Sequence, residues 1–141
     1  MKTLVVGTDG SEGAERAVEE VIELVHEHGA TVHLVCVYPA QRPLERLGLT
    51  ARQESTDLRG VAADVLARGE RRFTAAGFSV EKHAREGDPA HVILDVAGEK
   101  DADLIVVGAR GTSGLRRFLL GSVSSKLAHH ATTSVLIARD D

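Results

Sequence analysis

The sequence contains a single cysteine, Cys36, among its 141 residues, so no disulfide can form within the chain. Cys36 lies in the apolar run of residues 34–37, which predicts a buried structural thiol. No apolar run reaches the roughly 18 residues that a membrane span requires, and the N-terminal residues lack the features of a signal peptide. We therefore expect a cytoplasmic protein without a membrane partner.

An excess of positive charge is also absent. The chain has 17 Lys and Arg against 21 Asp and Glu, which gives a net charge of −4 and a pI of about 6.0. Proteins that bind nucleic acids generally neutralise phosphates with a basic surface, so this balance excludes a general nucleic-acid binder. The hydrophobic content of 43% and the charged content of 27% are typical of a globular chain, and we expect residues 1–141 to form one domain.

Several motifs of catalysis and cofactor binding are missing. The sequence has no G-x-x-x-x-G-K-[ST] phosphate loop, no G-x-G-x-x-G after its first strand and no G-x-S-x-G nucleophile elbow. His26 and His28, like the adjacent His129 and His130, diverge on a helix, and no histidine has a Cys partner at zinc spacing. We expect no metal site and assign no catalytic residue.

Apolar runs typical of strands alternate with segments of helical periodicity. The predicted strands are residues 3–7, 31–38, 78–84, 104–107 and 134–138. The first predicted helix runs from Ser11 as N-cap to a stop at Gly29, and the second covers residues 58–76. The third begins after Asp88 as N-cap, with Pro89 at its first position, and the fourth covers residues 123–131. This alternation predicts right-handed crossovers and a parallel sheet covered by helices on both faces. Residues 39–56 are predicted to form a loop.

The most informative segment follows the fourth predicted strand. It consists of Gly108-Ala109-Arg110-Gly111, nine further residues, and then Gly121-Ser122-Val123-Ser124 at the start of a predicted helix. Glycines allow backbone N–H groups to approach an anion, and a helix N-terminus adds unpaired N–H donors with a partial positive charge. The segment predicts a phosphate site. The glycines taken alone are also compatible with tight turns, and Ser122 with a simple N-cap.

This arrangement resembles the nucleotide-binding signature of the universal stress protein family. Residues 5–11 and 87–89 also resemble that family's first strand with its loop and the start of its third helix, so the resemblance spans nearly the whole chain. It implies an α/β fold, Rossmann-like and adenine-nucleotide alpha hydrolase-like, with an open five-stranded parallel sheet in the order 3-2-1-4-5 and helices on both faces. A receiver-like order of 2-1-3-4-5 is disfavoured, because an acidic phosphoacceptor at the end of strand 3 and a lysine at the end of strand 5 are lacking. In the implied order, the carboxyl ends of strands 1 and 4 flank the crevice where ligands bind.

The resemblance also implies roles for individual residues around an adenine nucleotide, which is ATP or alternatively ADP or AMP. The backbone of Val37 would read the adenine edge, Gly108 would pass close to the ribose, and Val107 would pack near the sugar or base. Thr8 and Asp9 would lie near the ribose and phosphates, with Asp9 able to hold Mg²⁺ through water. The phosphates would be bound by N–H and hydroxyl donors of Gly111, Gly121, Ser122, Val123 and Ser124.

Two positions depart from the family pattern, and one is variable. Ala109 stands where members often have Ser, and residues 133–135 are Thr-Ser-Val where members often have Pro. Arg110 occupies the variable position, from which its side chain could reach a phosphate. Arg116 and Arg117 are compatible with a lid over the phosphates or with solvated loop charges.

Three functions stay open at this point. The first is a nucleotide-binding stress-response regulatory module without significant catalysis. The second is a slow Mg-dependent ATP hydrolase or phosphotransfer enzyme in which Asp9 orients water. The third is a dimeric protein-interaction module with a vestigial nucleotide site. The resemblance further implies a homodimer formed through the last strand, residues 134–138, whose edge would otherwise be exposed.

Overall fold

The computed structural model describes residues 2–25, 28–40, 57–109 and 120–139. Its strands are β1 Thr3–Gly7, β2 Thr31–Tyr38, β3 Ser79–Glu86, β4 Leu104–Gly108 and β5 Ser134–Ala138. Its helices are α1 Glu12–Leu24, α2 Leu58–Ala75, α3 Pro89–Glu99 and α4 Ser122–His130. The predicted loop at residues 41–56 and the residues 110–119, which include Arg110, Gly111, Arg116 and Arg117, lie outside the described residues.

The five strands form one sheet in the order β3-β2-β1-β4-β5, and every pairing is parallel. The predicted fold class and strand order are therefore confirmed. Because successive side chains of a strand point to opposite faces, β1 contributes Leu4 and Val6 to one core and Val5 to the other. Helices α1 and α2 cover the first face, and α3 and α4 cover the second.

Three of the four described helices begin with a side-chain cap. Ser11, Asp57 and Asp88 accept hydrogen bonds from the backbone N–H groups of Ala14, Gly60 and His91 at the starts of α1, α2 and α3. Asp88 and the following Pro89 stand as the sequence predicts. Helix α4 differs, because its N-cap is Gly121, which has no side chain to offer.

Some element boundaries differ from the prediction. Helix α1 ends at Leu24 instead of continuing towards Gly29, because Val25 already has an extended backbone. Strand β3 extends to Glu86, two residues past the predicted end, because all eight residues of β2 pair with it. The final helix begins at Ser122 and ends at His130, one residue earlier at each end than predicted.

Helix α2 packs closely on the sheet at Gly69. A Cβ at this position would lie 2.6 Å from Cδ2 of Leu34 on β2, which explains a glycine in the middle of a helix. Within the described ranges, no helix has the length and apolarity to cross a membrane.

Candidate functional site

A cleft of about 290 Å³ opens at the carboxyl ends of β1 and β4, where the chain order reverses across the sheet. This is the position at which open α/β sheets bind ligands. The cleft is lined by nine of the predicted site residues: Thr8, Asp9, Val37, Val107, Gly108, Gly121, Ser122, Val123 and Ser124. The other two, Arg110 and Gly111, lie outside the described residues.

The inner wall of the cleft is apolar. Val35 and Val37 of β2 and Val107 of β4 face the α3 side of the sheet, and Ile93 of α3 packs among them. Pro89, at the first position of α3, completes this wall. The sequence motifs did not indicate Pro89 or Ile93 as site residues, because both belong to an ordinary amphipathic helix. Only the packing of this helix on the sheet brings them to the cleft. The wall is suited to the apolar part of a ligand.

The loop after β1 is held by hydrogen bonds between near neighbours. The Thr8 hydroxyl accepts from the Gly10 N–H at 3.2 Å, and Oδ1 of Asp9 accepts from the Ser11 N–H at 2.9 Å. Gly10 has a φ of +80°, a conformation that favours glycine. The Asp9 side chain is exposed at the rim of the cleft, so its carboxylate is positioned by the turn and still open to solvent.

The start of α4 is tied to the end of β4. The Gly121 N–H donates to the carbonyl oxygen of Ala109 at 2.7 Å. The hydroxyl of Ser124, which is 1% exposed, lies 2.8 Å from the same oxygen and 3.1 Å from the carbonyl oxygen of Gly121. These contacts occupy two of the donors that the sequence assigned to phosphate, the Gly121 N–H and the Ser124 hydroxyl. Ala109 was not predicted as a site residue, yet its carbonyl positions this corner.

The first turn of α4 presents the remaining donors. The N–H groups of Ser122, Val123 and Ser124 have no acceptor within the helix, and none among the described residues. The first turn contains no acidic residue. Ser122 is the first helical residue and not the N-cap, so the interpretation of its side chain as a cap is wrong. As far as the described residues show, the helix start can therefore accept an anion.

Gly108 has a second reason to be glycine. A Cβ at Gly108 would lie 2.5 Å from the carbonyl oxygen and 2.6 Å from the carbonyl carbon of Gly13, in the first turn of α1. The absent side chain therefore lets α1 pack against the end of β4, while the backbone of Gly108 lines the cleft. Gly108 and Gly13 together allow the start of α1 to approach the sheet. The fold requires this close approach independently of any ligand.

Cys36 is buried and free, as the sequence predicted. Burial raises the pKa of its thiol, and the negative charge of Asp9 raises it further. The thiol is accordingly protonated at neutral pH and is a poor nucleophile. Cys36 belongs to the core under α1 and α2, on the opposite face of the sheet from Val35 and Val37.

The chain matches the model of the universal stress protein family over residues 1–139. It belongs to this family. The family predicted from the sequence is thereby confirmed. Universal stress protein Rv1636 of Mycobacterium tuberculosis is 35% identical over an alignment of 141 positions, which covers 96% of this chain and 94% of that protein.

Solved universal stress proteins share the fold. One, a complex with cAMP, is 29% identical with a TM-score of 0.71, over 99% of this chain and 98% of the other. A second, from Archaeoglobus fulgidus in complex with dAMP, is 26% identical with a TM-score of 0.70, again over 99% and 98% of the two chains. The family and the architecture are thus shown along nearly the whole chain.

Proposed function

We propose that this universal stress protein binds an adenine nucleotide, with ATP as the preferred form, in the cleft between β1 and β4. The observation that carries the proposal is the uncapped start of α4, whose first-turn N–H groups lack acceptors among the described residues at one end of an apolar-walled cleft. The other three described helices supply their own caps. The complexes of two relatives with cAMP and dAMP support an adenine nucleotide as the ligand class.

Each part of the nucleotide has a place in this proposal. The base and sugar lie against Val37, Val107 and the backbone of Gly108. The phosphates accept hydrogen bonds from the N–H groups of residues 122–124, with Arg110 and Gly111 as further contributors predicted from the sequence. The resemblance assigned a phosphate donor to Gly121 as well, but the bond from its N–H to Ala109 gives Gly121 the role of holding the helix start in place.

Asp9 lies on the opposite rim, and we propose that it holds Mg²⁺ through water beside the phosphates. Carboxylate oxygens and water are the ligands that Mg²⁺ prefers. Asp9 is also the only ionisable side chain among the described residues that line the cleft. With one carboxylate and no paired nucleophile and base in that set, the site supports binding without significant catalysis. The resulting function is that of a nucleotide-responsive module in the stress response.

The experiment is a calorimetric titration of the protein with MgATP, alongside Gly121→Asp and Gly121→Asn. Gly121 has a φ of −71° and a ψ of 170°, which any residue can adopt, and Asp and Asn are both good N-caps. Both variants therefore give α4 a side-chain cap, but only Asp places a negative charge where phosphate is proposed to bind. Two lost charge-assisted hydrogen bonds, at about 1.5–3 kcal/mol each, predict an affinity loss of about 10²-fold or more.

The expected result is that Gly121→Asp loses affinity while it retains or gains thermal stability, and that Gly121→Asn falls in between. MgGTP serves as the control for the base, because the adenine assignment requires weaker binding of guanine. If no adenine nucleotide produced a heat of binding, the proposal would be rejected. Wild-type affinity in both the Asp and the Asn variants would show that α4 does not contact phosphate.

We also propose a homodimer through β5, residues 134–138. This strand is an edge of the sheet, and its apolar residues Val135, Leu136 and Ile137 are only half-buried. Pairing of two such edges would satisfy their backbone groups and cover these side chains. Light scattering at tens of micromolar protein tests the dimer, and a monomer mass would refute it. The cytoplasmic location and the folding of residues 1–141 as one domain stay predictions from the sequence.

A further inference from the structure

A second polar cluster lies between β2 and β3, outside the candidate nucleotide cleft. It consists of His33 on β2 and of Glu81 and His83 on β3. Nδ1 of His33 lies 3.1 Å from Nε2 of His83 and 3.8 Å from Oε1 of Glu81. The two histidines are 50 residues apart in the chain, and the parallel pairing of the strands brings them together.

We propose that His33, His83 and Glu81 form a binding site for one divalent transition-metal ion such as Zn²⁺. Neutral imidazole and carboxylate are the usual ligands of open zinc sites, which keep a further position for water. Ligand atoms around a tetrahedral zinc ion, with bonds of about 2.0–2.1 Å, lie about 3.4 Å apart. The distances from Nδ1 of His33 to the other two ligand atoms, 3.1 and 3.8 Å, lie on either side of this value.

The burial of the three side chains gives the site one rigid side and one open side. The His33 side chain is only 5% exposed, which fixes its ring in the core layer under α3, whereas the Glu81 side chain is 56% exposed. An ion can therefore enter from solvent past Glu81 and reach a preformed pair of nitrogens. Burial lowers the pKa of His33 and of His83, and in His83 the nearby His33 lowers it further.

When both rings start out neutral, metal binding moves one proton within a ring and releases none. In the described state, one ring donates its N–H to the other across the 3.1 Å contact. Metal binding requires that both of these nitrogens be unprotonated. The shared proton therefore moves to the other nitrogen of the donating ring, so that His33 carries its proton on Nε2 and His83 on Nδ1.

Two neighbouring positive charges, those of Lys100 and Arg85, oppose a cation here. Nζ of Lys100 lies 3.6 Å from Oε1 of Glu81, and its charge also disfavours protonation of both histidines. With two nitrogens, one carboxylate and no thiolate, the site should bind zinc less tightly than closed cysteine-rich sites do. Its structural effect would be to tie the edge strand β3 to β2. Val35, which lines the candidate nucleotide cleft, is two residues further along β2 than His33, or about 7 Å at the usual strand rise.

The test is a calorimetric titration of metal-free, nucleotide-free protein with ZnCl₂, together with visible absorption on adding Co²⁺. Glu81→Gln and His83→Gln are the site variants. His91→Gln is the matched control, because His91 is an exposed histidine on α3 that pairs only weakly with Asp95, at 3.4 Å. The expected result is one tight zinc ion per chain in the wild type, a cobalt d–d spectrum and a zinc-dependent rise in melting temperature.

Loss of a ligand should cost at least the 10–100-fold typical of outer-sphere changes, so His83→Gln is expected to bind zinc about 100-fold more weakly or not at all. Glu81→Gln should bind about 10-fold more weakly. Because Glu81 is exposed, this variant remains informative if His83→Gln does not fold. Absence of zinc binding in the wild type, or unchanged affinity in both site variants, would overturn the proposal. An equal loss in His91→Gln would do so as well.

Discussion

The hydroxyl of Ser124 lies 2.8 Å from the carbonyl oxygen of Ala109, a buried contact that joins the first turn of α4 to the residue after β4. The Gly121 N–H converges on the same oxygen at 2.7 Å. The sequence marks the glycines and serines of this region as ligands, but the geometry divides them into two groups. The Gly121 N–H and the Ser124 hydroxyl hold the start of α4 against the end of β4, whereas the N–H groups of residues 122–124 remain available to face the cleft.

We predict that Ser124→Ala lowers the free energy of unfolding by about 1 kcal/mol. The effect should be modest, because the carbonyls of Ala109 and Gly121 keep hydrogen bonds from the N–H groups of Gly121 and Ser125. Urea unfolding measures the change, with Ser125→Ala as the control. A loss of nucleotide affinity without a change in stability would contradict this account and assign the hydroxyl to the ligand.

Gly108→Ala is expected to destabilise the protein by about 1–3 kcal/mol, because the new methyl group would contact the backbone of Gly13. Gly98→Ala is the matched control. A Cβ there meets nothing within 4 Å, and the position is helical, so we expect a gain of about 0.5–1 kcal/mol. Thermal or urea denaturation of both variants checks the pair. A neutral Gly108→Ala would show that α1 does not require this close approach.

Asp9→Asn should abolish the contribution of Mg²⁺ to ATP affinity. An Asn side chain can still accept the bond from the Ser11 N–H, so the turn should persist while the charge is lost. We expect ATP affinity without Mg²⁺ to be equal to that of the wild type or slightly higher, since a negative charge near the phosphates is removed. Calorimetry with and without Mg²⁺ measures both values. An unchanged magnesium dependence would exclude Asp9 as the group that holds the ion.

Asp103 predicts a pH dependence of stability. Hydrogen bonds from the N–H groups of Thr3 and Lys2 lower the pKa of this carboxyl group. The stabilisation is therefore present above the unfolded-state pKa of about 3.9, and is lost as the pH falls through the lower folded-state value. Asp103→Asn should be less stable than the wild type at pH 7, and the difference should narrow below about pH 4.

Urea unfolding across this pH range tests the prediction. Asp64→Asn is the control, because Asp64 lies exposed on α2. A difference between wild type and Asp103→Asn that stayed constant down to pH 3 would assign the loss of stability to something other than the carboxylate charge.

Much of the fold can be predicted from local patterns. The cap at Ser11 and the Asp88-Pro89 start of α3 are encoded within a few residues, and the structure has both. The end of β3 at Glu86 is not encoded locally, because it depends on the length of its neighbour β2. Boundaries set by pairing between distant segments require the assembled sheet.

The candidate site shows the same division. Chain order alone leads to Thr8, Asp9 and the start of α4, since they follow strands or begin a helix. Spacing could not reveal that the Gly121 N–H is already bonded, or that Gly108 accommodates Gly13. Nor could it show that His33 and His83 meet, because their separation of 50 residues matches no metal-binding motif. Contacts across the sheet are invisible to any local reading of the sequence.

The missing side-chain cap of α4 has a consequence for the empty protein. The first turn of α4 has no partner of its own among the described residues, so under the proposed function a bound anion would complete it and become part of the secondary structure. The concentration of that anion would then govern the stability of α4. Since α4 leads directly into the edge strand β5, a change in nucleotide concentration would also change the stability of that edge of the sheet.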